Sequence, residues 1–262
     1  MRNLKEYIVE GIFDIDDNID NIDKHQIEQF LKENFKCLYK ISDKPNTNGK
    51  YEVSSGSVVV GNKKITALTN GLFIWTNIDG TFSCYDCTLL TSLEGAPKEV
   101  SEDFDCSYCY SLKSLEGAPE KVGGEFTCYS CASLTSLEGA PKEISDYFIC
   151  SDCKSLTSLE GAPEKVGGNF DCDHCDSLTS LKGAPKKVGG NFNCSYCHSL
   201  KSLEGSPKEV SGTFKCSDCN SLTSLKGAPK KVGGHFSCRE CGIKFTEEDV
   251  TKLSKVVGKI YV

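Results

Sequence analysis

The segment FDCDHCDSLTSLKGAPKKVGGN, from Phe170 to Asn191, decides the fold, because the chain carries eight copies of it in register. The copies begin at Phe82, Phe104, Phe126, Phe148, Phe170, Phe192, Phe214 and Phe236, with no insertion or deletion between them. A fixed period of 22 residues is typical of a solenoid, in which each coil stacks only on its neighbours. One copy has too few apolar side chains to fold alone, so the array is needed.

The copies share the frame F-x-C-x-x-C-x-S-L-x-S-L-E/K-G-A-P-x-x-V. In F-x-C, the alternation places the Phe and the first Cys on one side, which predicts a very short strand. We expect these strands to form one parallel sheet along the array, with the two Leu covering the other edge of the core. The Gly-Ala-Pro segment and pairs such as Gly167-Gly168 are predicted to form turns, in which Gly permits a positive φ.

The run Phe170-x-Cys172-x-x-Cys175-x-x-Leu178-x-x-Leu181 resembles the leucine-rich repeat core L-x-L-x-x-N/C-x-x-L, in its cysteine-containing and BspA-like bacterial varieties. The phrase S-L-E-G-A-P-K-E-V-G-G is similar to repeat proteins of tailed phages. The resemblance covers residues 82–241 and implies a mainly β, leucine-rich-repeat-like solenoid with caps at both ends. Phe and Cys replace the usual Leu, and helix formers are missing on the convex side. We therefore expect that side to consist of turns and irregular coil.

The segments outside the repeats are predicted to cap the stack. Residues 1–36 indicate a helical N-terminal segment, with amphipathic patterns near residues 4–12 and over 24–36 and an acidic linker over 14–23. Residues 37–81 alternate as a hairpin and further strands, which predicts a β-rich N-terminal cap.

Residues 242–262 are predicted to form a C-terminal cap. The sequence TEEDVTKLSKVVGK begins with a Thr followed by acids, which favours a helix N-terminus. Val250, Leu253 and Val256 or Val257 would form its buried stripe, and residues 260–262 would add a final strand.

Composition and charge limit which class of protein this chain can be and in which compartment it is expected. The chain has 262 residues, 38% of them hydrophobic, and a net charge of −7, with no apolar run long enough to span a membrane. Its first residues lack the apolar core of a secretory signal, so we expect a cytoplasmic protein of a bacterium, or of a phage-infected host cell. The basic residues are interspersed with Glu, which argues against nucleic acid and membrane partners. The oligomeric state is left open.

Catalysis has little support in the sequence. No spacing suggests a nucleophile beside a base, and the glycine pairs lack the Lys-Ser/Thr of a phosphate-binding loop. The four histidines, His25, His174, His198 and His235, fall outside the repeated columns or in variable ones, where solvated surface is the ordinary role. We predict a protein that is not an enzyme and has no cofactor.

The C-x-x-C pairs are the strongest chemical signal. They are Cys84/Cys87, Cys106/Cys109, Cys128/Cys131, Cys150/Cys153, Cys172/Cys175, Cys194/Cys197, Cys216/Cys219 and Cys238/Cys241. Two pairs from adjacent coils could offer four thiolates to zinc. Every coil is the same, however, whereas zinc knuckles alternate with isolating residues. We favour ladders of buried, reduced thiols, and zinc sites remain the alternative.

The columns that vary between copies predict the functional surface. We expect the residues flanking Phe and the cysteines to project from the exposed sheet face, the side that such solenoids use for partners. They are Tyr85, Asp86, Asp103, Asp105, Tyr108, Glu125, Tyr129, Tyr147, Asp152, Asp171, Asp173, His174, Tyr196, Asp218 and Glu240. Tyrosines are common in protein interfaces and acids attract a basic partner, so the hypothesis is a protein-binding module. The alternative is a merely soluble face.

A second class of function is suggested by the N-terminus. Residues 4–10, LKEYIVE, resemble the capsid-targeting peptides of internal head proteins in T-even-type phages, including the I-x-E ending at which their protease cuts. The resemblance implies a structural or packaged component of a phage particle, located in the virion and beginning at Gly11 after cleavage.

Overall fold

The computed structural model describes residues 23–69 and 71–262, and in them the chain is a mainly β parallel solenoid of about ten stacked turns. The predicted fold class is confirmed. The helix and linker predicted over residues 1–22 lie outside the described residues.

Two sheets run the length of the solenoid, each with eleven strands that are parallel except at the N-terminal cap. The first, here called the Phe sheet, carries the repeated Phe. Its strands are β1 (Phe35–Lys36), β4 (Val58–Val60), β6 (Phe82–Ser83), β8 (Phe104–Asp105), β10 (Phe126–Thr127), β12 (Phe148–Ile149), β14 (Phe170–Asp171), β16 (Phe192–Asn193), β18 (Phe214–Lys215), β20 (Phe236–Ser237) and β22 (Ile260–Tyr261).

The second sheet, here called the Val sheet, carries the Val of the P-x-x-V phrase. Its strands are β2 (Tyr39–Ile41), β3 (Tyr51–Ser55), β5 (Phe73–Ile78), β7 (Glu99–Val100), β9 (Lys121–Val122), β11 (Glu143–Ile144), β13 (Lys165–Val166), β15 (Lys187–Val188), β17 (Glu209–Val210), β19 (Lys231–Val232) and β21 (Lys255–Val256). Between the repeats, both sheets place each residue opposite its counterpart 22 residues away, as in Phe148↔Phe170 and Val166↔Val188.

The Val sheet corrects the expectation that the far side of each coil would be turns and irregular coil. Each Val is buried while the Glu or Lys before it is exposed, the alternation of a strand. Two residues are too short a run to show this period in the sequence. The Phe strands form the single parallel sheet that we predicted.

The Phe rings form a continuous column inside the solenoid. Neighbouring ring centroids lie 5.2 to 5.7 Å apart, and most rings are nearly parallel. The two Cys and two Leu of each coil pack around this column, and nearly all are fully buried. Coil stacking therefore buries a core that no coil can close by itself.

The N-terminal cap closes the first coil with a helix and antiparallel strands. Helix α1 (Lys24–Asn34) begins at a capping box between Asp23 and Gln26. Its buried Phe30 packs edge-to-face on Phe73, with ring centroids 6.2 Å apart. Strand β1 pairs antiparallel with β4, and β2 pairs antiparallel with β3 across the predicted hairpin.

The C-terminal cap is shorter than predicted. Helix α2 (Glu247–Thr251) has Thr246 as its N-cap, as expected, but it ends before Leu253. Val250 is buried, whereas Leu253 and Val257 are 46% and 69% exposed. The predicted stripe is wrong at Leu253, because the chain turns there into β21. Of the two alternatives Val256 and Val257, it is Val256 that packs against the core, where it stacks on Val232. The final strand, β22, is confirmed.

The Gly-Ala-Pro turn depends on a backbone that only glycine adopts easily. Gly183 has a φ of +92°, and the N–H of Ala184 donates to the carbonyl of Leu181 at 3.0 Å. A Cβ on Gly183 would lie 2.4 Å from the backbone nitrogen of Glu160 in the preceding coil. The predicted positive φ is thus confirmed here, but not for the Gly-Gly pairs. At Gly189, for example, φ is not positive, and a Cβ would lie 1.9 Å from the carbonyl oxygen of Gly167.

Replacing Gly183 with Ala should lower the free energy of unfolding by about 2–4 kcal/mol, because the new Cβ adds a backbone clash to a strained φ. Urea denaturation followed by circular dichroism would measure this change. Lys182→Ala, one residue earlier and exposed, is the control and should cost much less. An equal loss of unfolding free energy in the two variants would contradict the claim that close contact with the preceding coil requires glycine at this turn.

Candidate functional site

The predicted surface residues lie mostly in turns beside the Phe sheet. Asp105 and Asp171 are on Phe strands, and Asp103, Glu125 and Tyr147 each directly precede one. The other ten lie between the two cysteines of a pair, in a bend that we call the Cys turn: Tyr85, Asp86, Tyr108, Tyr129, Asp152, Asp173, His174, Tyr196, Asp218 and Glu240. The expected sheet face is therefore a ridge of stacked turns along one edge of the sheet, and we call it the Cys-turn ridge.

The Cys turns share a backbone conformation that is unusual for residues other than glycine. The residue before each second Cys has a φ between 50° and 60°: Asp86, Tyr108, Ser130, Asp152, His174, Tyr196, Asp218 and Glu240. Each such position costs roughly 1 kcal/mol for an L-residue. The turns persist because they stack. The N–H of Asp152, for example, donates to the carbonyl of Asp173 in the next coil at 2.9 Å.

Four tyrosines meet at the N-terminal end of the ridge and form what we call the tyrosine cluster: Tyr85, Tyr108, Tyr110 and Tyr129. The ring of Tyr108 lies 5.1 Å from that of Tyr85 and 5.3 Å from that of Tyr129, both edge-to-face. The ring centroids of Tyr110 and Tyr108 lie 6.1 Å apart, and the Tyr110 side chain is 43% exposed. Edge-to-face contacts orient the rings while leaving contact area open to solvent.

The middle of the ridge is charged instead. Lys154 Nζ lies 2.9 Å from Asp152 and 3.0 Å from Asp176, so it bridges two acids, and these hydrogen bonds raise the pKa of the lysine. Farther along, the His174 and Tyr196 rings stack with centroids 4.4 Å apart. The ridge thus changes from aromatic to ionic along the solenoid axis.

One further column of variable residues borders this ridge and was not predicted. The column consists of the residue after each second Cys and includes Tyr110, Lys154, Asp176 and His198. Tyr110 contacts Tyr108 and Lys154 contacts Asp152, whereas Asp176 contacts Lys154 and His198 contacts Asp176. This column varies between copies as freely as the predicted ones, which is the signal that could have found it.

Asp171, on a Phe strand beside the ridge, has the most perturbed carboxyl group of the predicted surface residues. Burial and the charge of Asp173 raise the pKa of Asp171 to about 6. Its Oδ1 atom is shielded from solvent and makes no hydrogen bond within the described residues. Asn193 occupies the same column one coil later, so the site accommodates an amide.

Asp171→Asn should stabilise the protein by about 1–2 kcal/mol at pH 8 and change little at pH 4. The folded-state pKa lies above the unfolded value, so the wild type loses stability as the pH rises from about 4 to about 6. Urea titrations at the two pH values would measure the difference. Asp105→Asn, in the same column, controls for loss of a carboxylate. A gain at pH 4 as large as that at pH 8 would contradict an ionisation effect.

The cysteine ladders are built from hydrogen bonds to backbone carbonyls. The second Cys of a pair donates to the carbonyl of the first Cys in the preceding coil. The pairs of donor and acceptor residues are Cys109 and Cys84, Cys131 and Cys106, Cys153 and Cys128, Cys175 and Cys150, Cys197 and Cys172, Cys219 and Cys194, and Cys241 and Cys216, at 3.2 or 3.3 Å. In several pairs, the first Cys donates to a carbonyl of the following coil, as Cys172 does to the carbonyl of Asn193 at 3.4 Å. The thiols thus satisfy buried carbonyls between strands.

Burial opposes thiolate formation in these ladders. It raises the pKa of Cys172 and Cys194 well above the ordinary thiol value, and neighbouring thiols add to the effect. Thiolates are the form that binds zinc and attacks electrophiles. Among residues 23–69 and 71–262, no disulfide is formed, and no three His, Cys, Asp or Glu side chains are arranged to hold a metal ion.

The purified protein should contain no stoichiometric zinc, and its ladder thiols should resist labelling because they are protonated and buried. We expect Cys37 and Cys241 to react before the other cysteines with a thiol reagent, because these two are only half-buried. Elemental analysis and mass spectrometry after timed alkylation would test both points, with the urea-unfolded chain labelled at all 17 cysteines as the control. About one zinc per two coils, or unfolding by a chelator, would refute the prediction.

A groove of about 810 Å³ lies along the first coils of the Val sheet, and none of the predicted surface residues lines it. Its walls include Glu99, Lys121, Lys142 and Glu143, and Lys121 pairs with Glu99 at 2.6 Å. Because these charges are paired, the groove has little net charge with which to attract a charged ligand.

Comparisons with protein-family models, curated proteins and solved structures found no match to this chain. None of the helices in the described ranges is long and apolar enough to cross a membrane.

Proposed function

We propose that the protein is a non-enzymatic binding module that holds a protein partner on its Cys-turn ridge. The observation that carries the proposal is the tyrosine cluster, a contiguous set of partly exposed aromatic rings flanked by Asp86 and Asp105. Soluble surfaces usually scatter their large apolar side chains, whereas protein interfaces concentrate tyrosine. The leucine-rich-repeat resemblance supports the same class of function.

The chemistry of the ridge favours a partner with a basic surface. Asp86, Asp105, Asp173 and Asp218 surround or follow the aromatic rings, and Lys154 offsets only part of the charge near Asp152. Such acids raise the rate of association with a cationic surface and lose that effect as salt increases. The tyrosines would supply contact area that salt does not remove.

The dimensions of the ridge suit a protein interface. Eight coils at about 4.8 Å each span roughly 35 Å, and a standard interface buries about 800 Å² on each partner. The stacked turns are held by backbone hydrogen bonds between coils, so little order has to be gained on binding. We expect binding energy to concentrate at the tyrosine cluster, where the rings already contact one another.

Replacing Tyr108 and Tyr129 with Ser should weaken binding at least about tenfold without unfolding the stack, as expected for hot-spot tyrosines. Ser already occupies the equivalent positions at Ser130 and Ser107. A partner captured from host extract and identified by mass spectrometry would be titrated against each variant by calorimetry.

Lys186→Ala with Lys187→Ala is the matched control for this experiment, because both lysines lie outside the ridge. The control should retain full affinity. Loss of the partner in the lysine variant, with retention in the tyrosine variant, would place the site on the other side of the solenoid and refute the proposal.

The alternative, a component of a phage particle, depends on the capsid-targeting resemblance of residues 4–10. Those residues lie outside the described ranges, so that reading and the expected cleavage before Gly11 stay predictions from the sequence.

A further inference from the structure

The outer surface of the Val sheet carries two exposed charged columns, formed by the two residues between Pro and Val in each coil. In the coils that contain strands β7, β9, β11 and β13, these positions hold four lysines and four glutamates: Lys98, Glu99, Glu120, Lys121, Lys142, Glu143, Glu164 and Lys165. The sign alternates from coil to coil in both columns. Opposite charges therefore face one another, as in the Lys121 and Glu99 pair at 2.6 Å and the Lys98 and Glu120 pair at 3.4 Å.

This alternation breaks down in the later coils. The same columns near strands β15, β17, β19 and β21 hold one glutamate, Glu209, and six lysines that we call the lysine face: Lys186, Lys187, Lys208, Lys230, Lys231 and Lys255. The net charge of the columns changes from zero to five positive units, although the whole chain carries −7.

The lysine face places like charges directly opposite one another. Lys165 is paired in register with Lys187, and Lys231 with Lys255. In the other column, the backbone of Lys208 is hydrogen-bonded to Lys186 on one side and Lys230 on the other. Like charges in these positions destabilise a sheet, and the earlier coils demonstrate that this fold accommodates the alternating arrangement.

Most of the lysine face lacks charge partners. Lys187 pairs with Glu209 at 3.3 Å. Within the part of the chain that the structure describes, the other five lysines make no ion pair. A stack that pairs three of its four lysines in the first four coils and concentrates unpaired cations in the next four has a surface suited to an anionic ligand.

We propose that the lysine face binds an acidic polypeptide segment, at a site separate from the Cys-turn ridge. From the coil of Lys186 to that of Lys255, three steps of about 4.8 Å give a length near 15 Å, which matches four or five residues of an extended chain. Carboxylates of such a segment would lie among the Lys186, Lys208 and Lys230 ammonium groups.

A polypeptide fits this surface better than a nucleic acid does. The two columns contain no aromatic side chain on which a base could stack and no arginine to read a base edge. A long polyanion would also meet the acidic remainder of the molecule, whereas a short acidic segment need contact only the lysine face.

Lys208→Glu tests the proposal, because it restores alternation in the Lys186, Lys208, Lys230 column and places an acid at the centre of the lysine face. The variant should unfold at a higher urea concentration than the wild type. It should also bind a fluorescent oligoglutamate peptide of about ten residues roughly tenfold more weakly at low ionic strength. Lys208→Gln should give a smaller loss of binding, because only one charge is removed.

Lys142→Glu is the matched control, since it changes the net charge equally and lies in the same column between Glu120 and Glu164. It should lower stability and leave peptide binding unchanged. The proposal is overturned if wild-type protein does not bind the peptide, or if Lys142→Glu loses as much affinity as Lys208→Glu. A single-stranded oligonucleotide bound through Lys208 in preference to the peptide would also overturn it, in favour of a nucleic acid ligand.

Discussion

The rest of the structure depends on parallel, in-register hydrogen bonding between coils of equal length. Because each repeat bonds to the next through both sheets and through the Cys turns, each repeat residue lies above its counterpart 22 positions earlier. One inserted residue would shift all later columns out of register. This constraint explains why the copies contain no insertion or deletion.

In-register stacking also decides which side chains each column accepts. Phe, Cys, Leu and Val can repeat because rings stack on rings, apolar groups pack, and each thiol can donate to a carbonyl of a neighbouring coil. A column of like charges destabilises a sheet, and in the first coils of the Val sheet Lys and Glu alternate and form ion pairs. The cysteines therefore have a sufficient structural role as small buried donors.

The columns under least constraint are the ones that differ along the axis. The Cys-turn ridge is aromatic near Tyr108 and ionic near Lys154, and the Val sheet is balanced in its first coils and cationic in its last. Two surfaces of opposite charge on one rigid scaffold would allow two partners to bind without direct competition. The backbone is nearly the same in every coil, so these differences come from side chains alone.

The sequence by itself determined the solenoid, its period, its core columns and the hairpin of its N-terminal cap, because exact repetition of Phe, Cys and Leu leaves few other ways to bury them. It also located most of the variable surface. Only the tertiary structure decided that Glu or Lys before Val forms a second sheet, since a two-residue strand has no period of its own and exists through pairing with its neighbours. The positive φ of Tyr108 and the grouping of tyrosines from three coils likewise depend on stacking, because residues 21 or 23 positions apart become neighbours only in the folded solenoid.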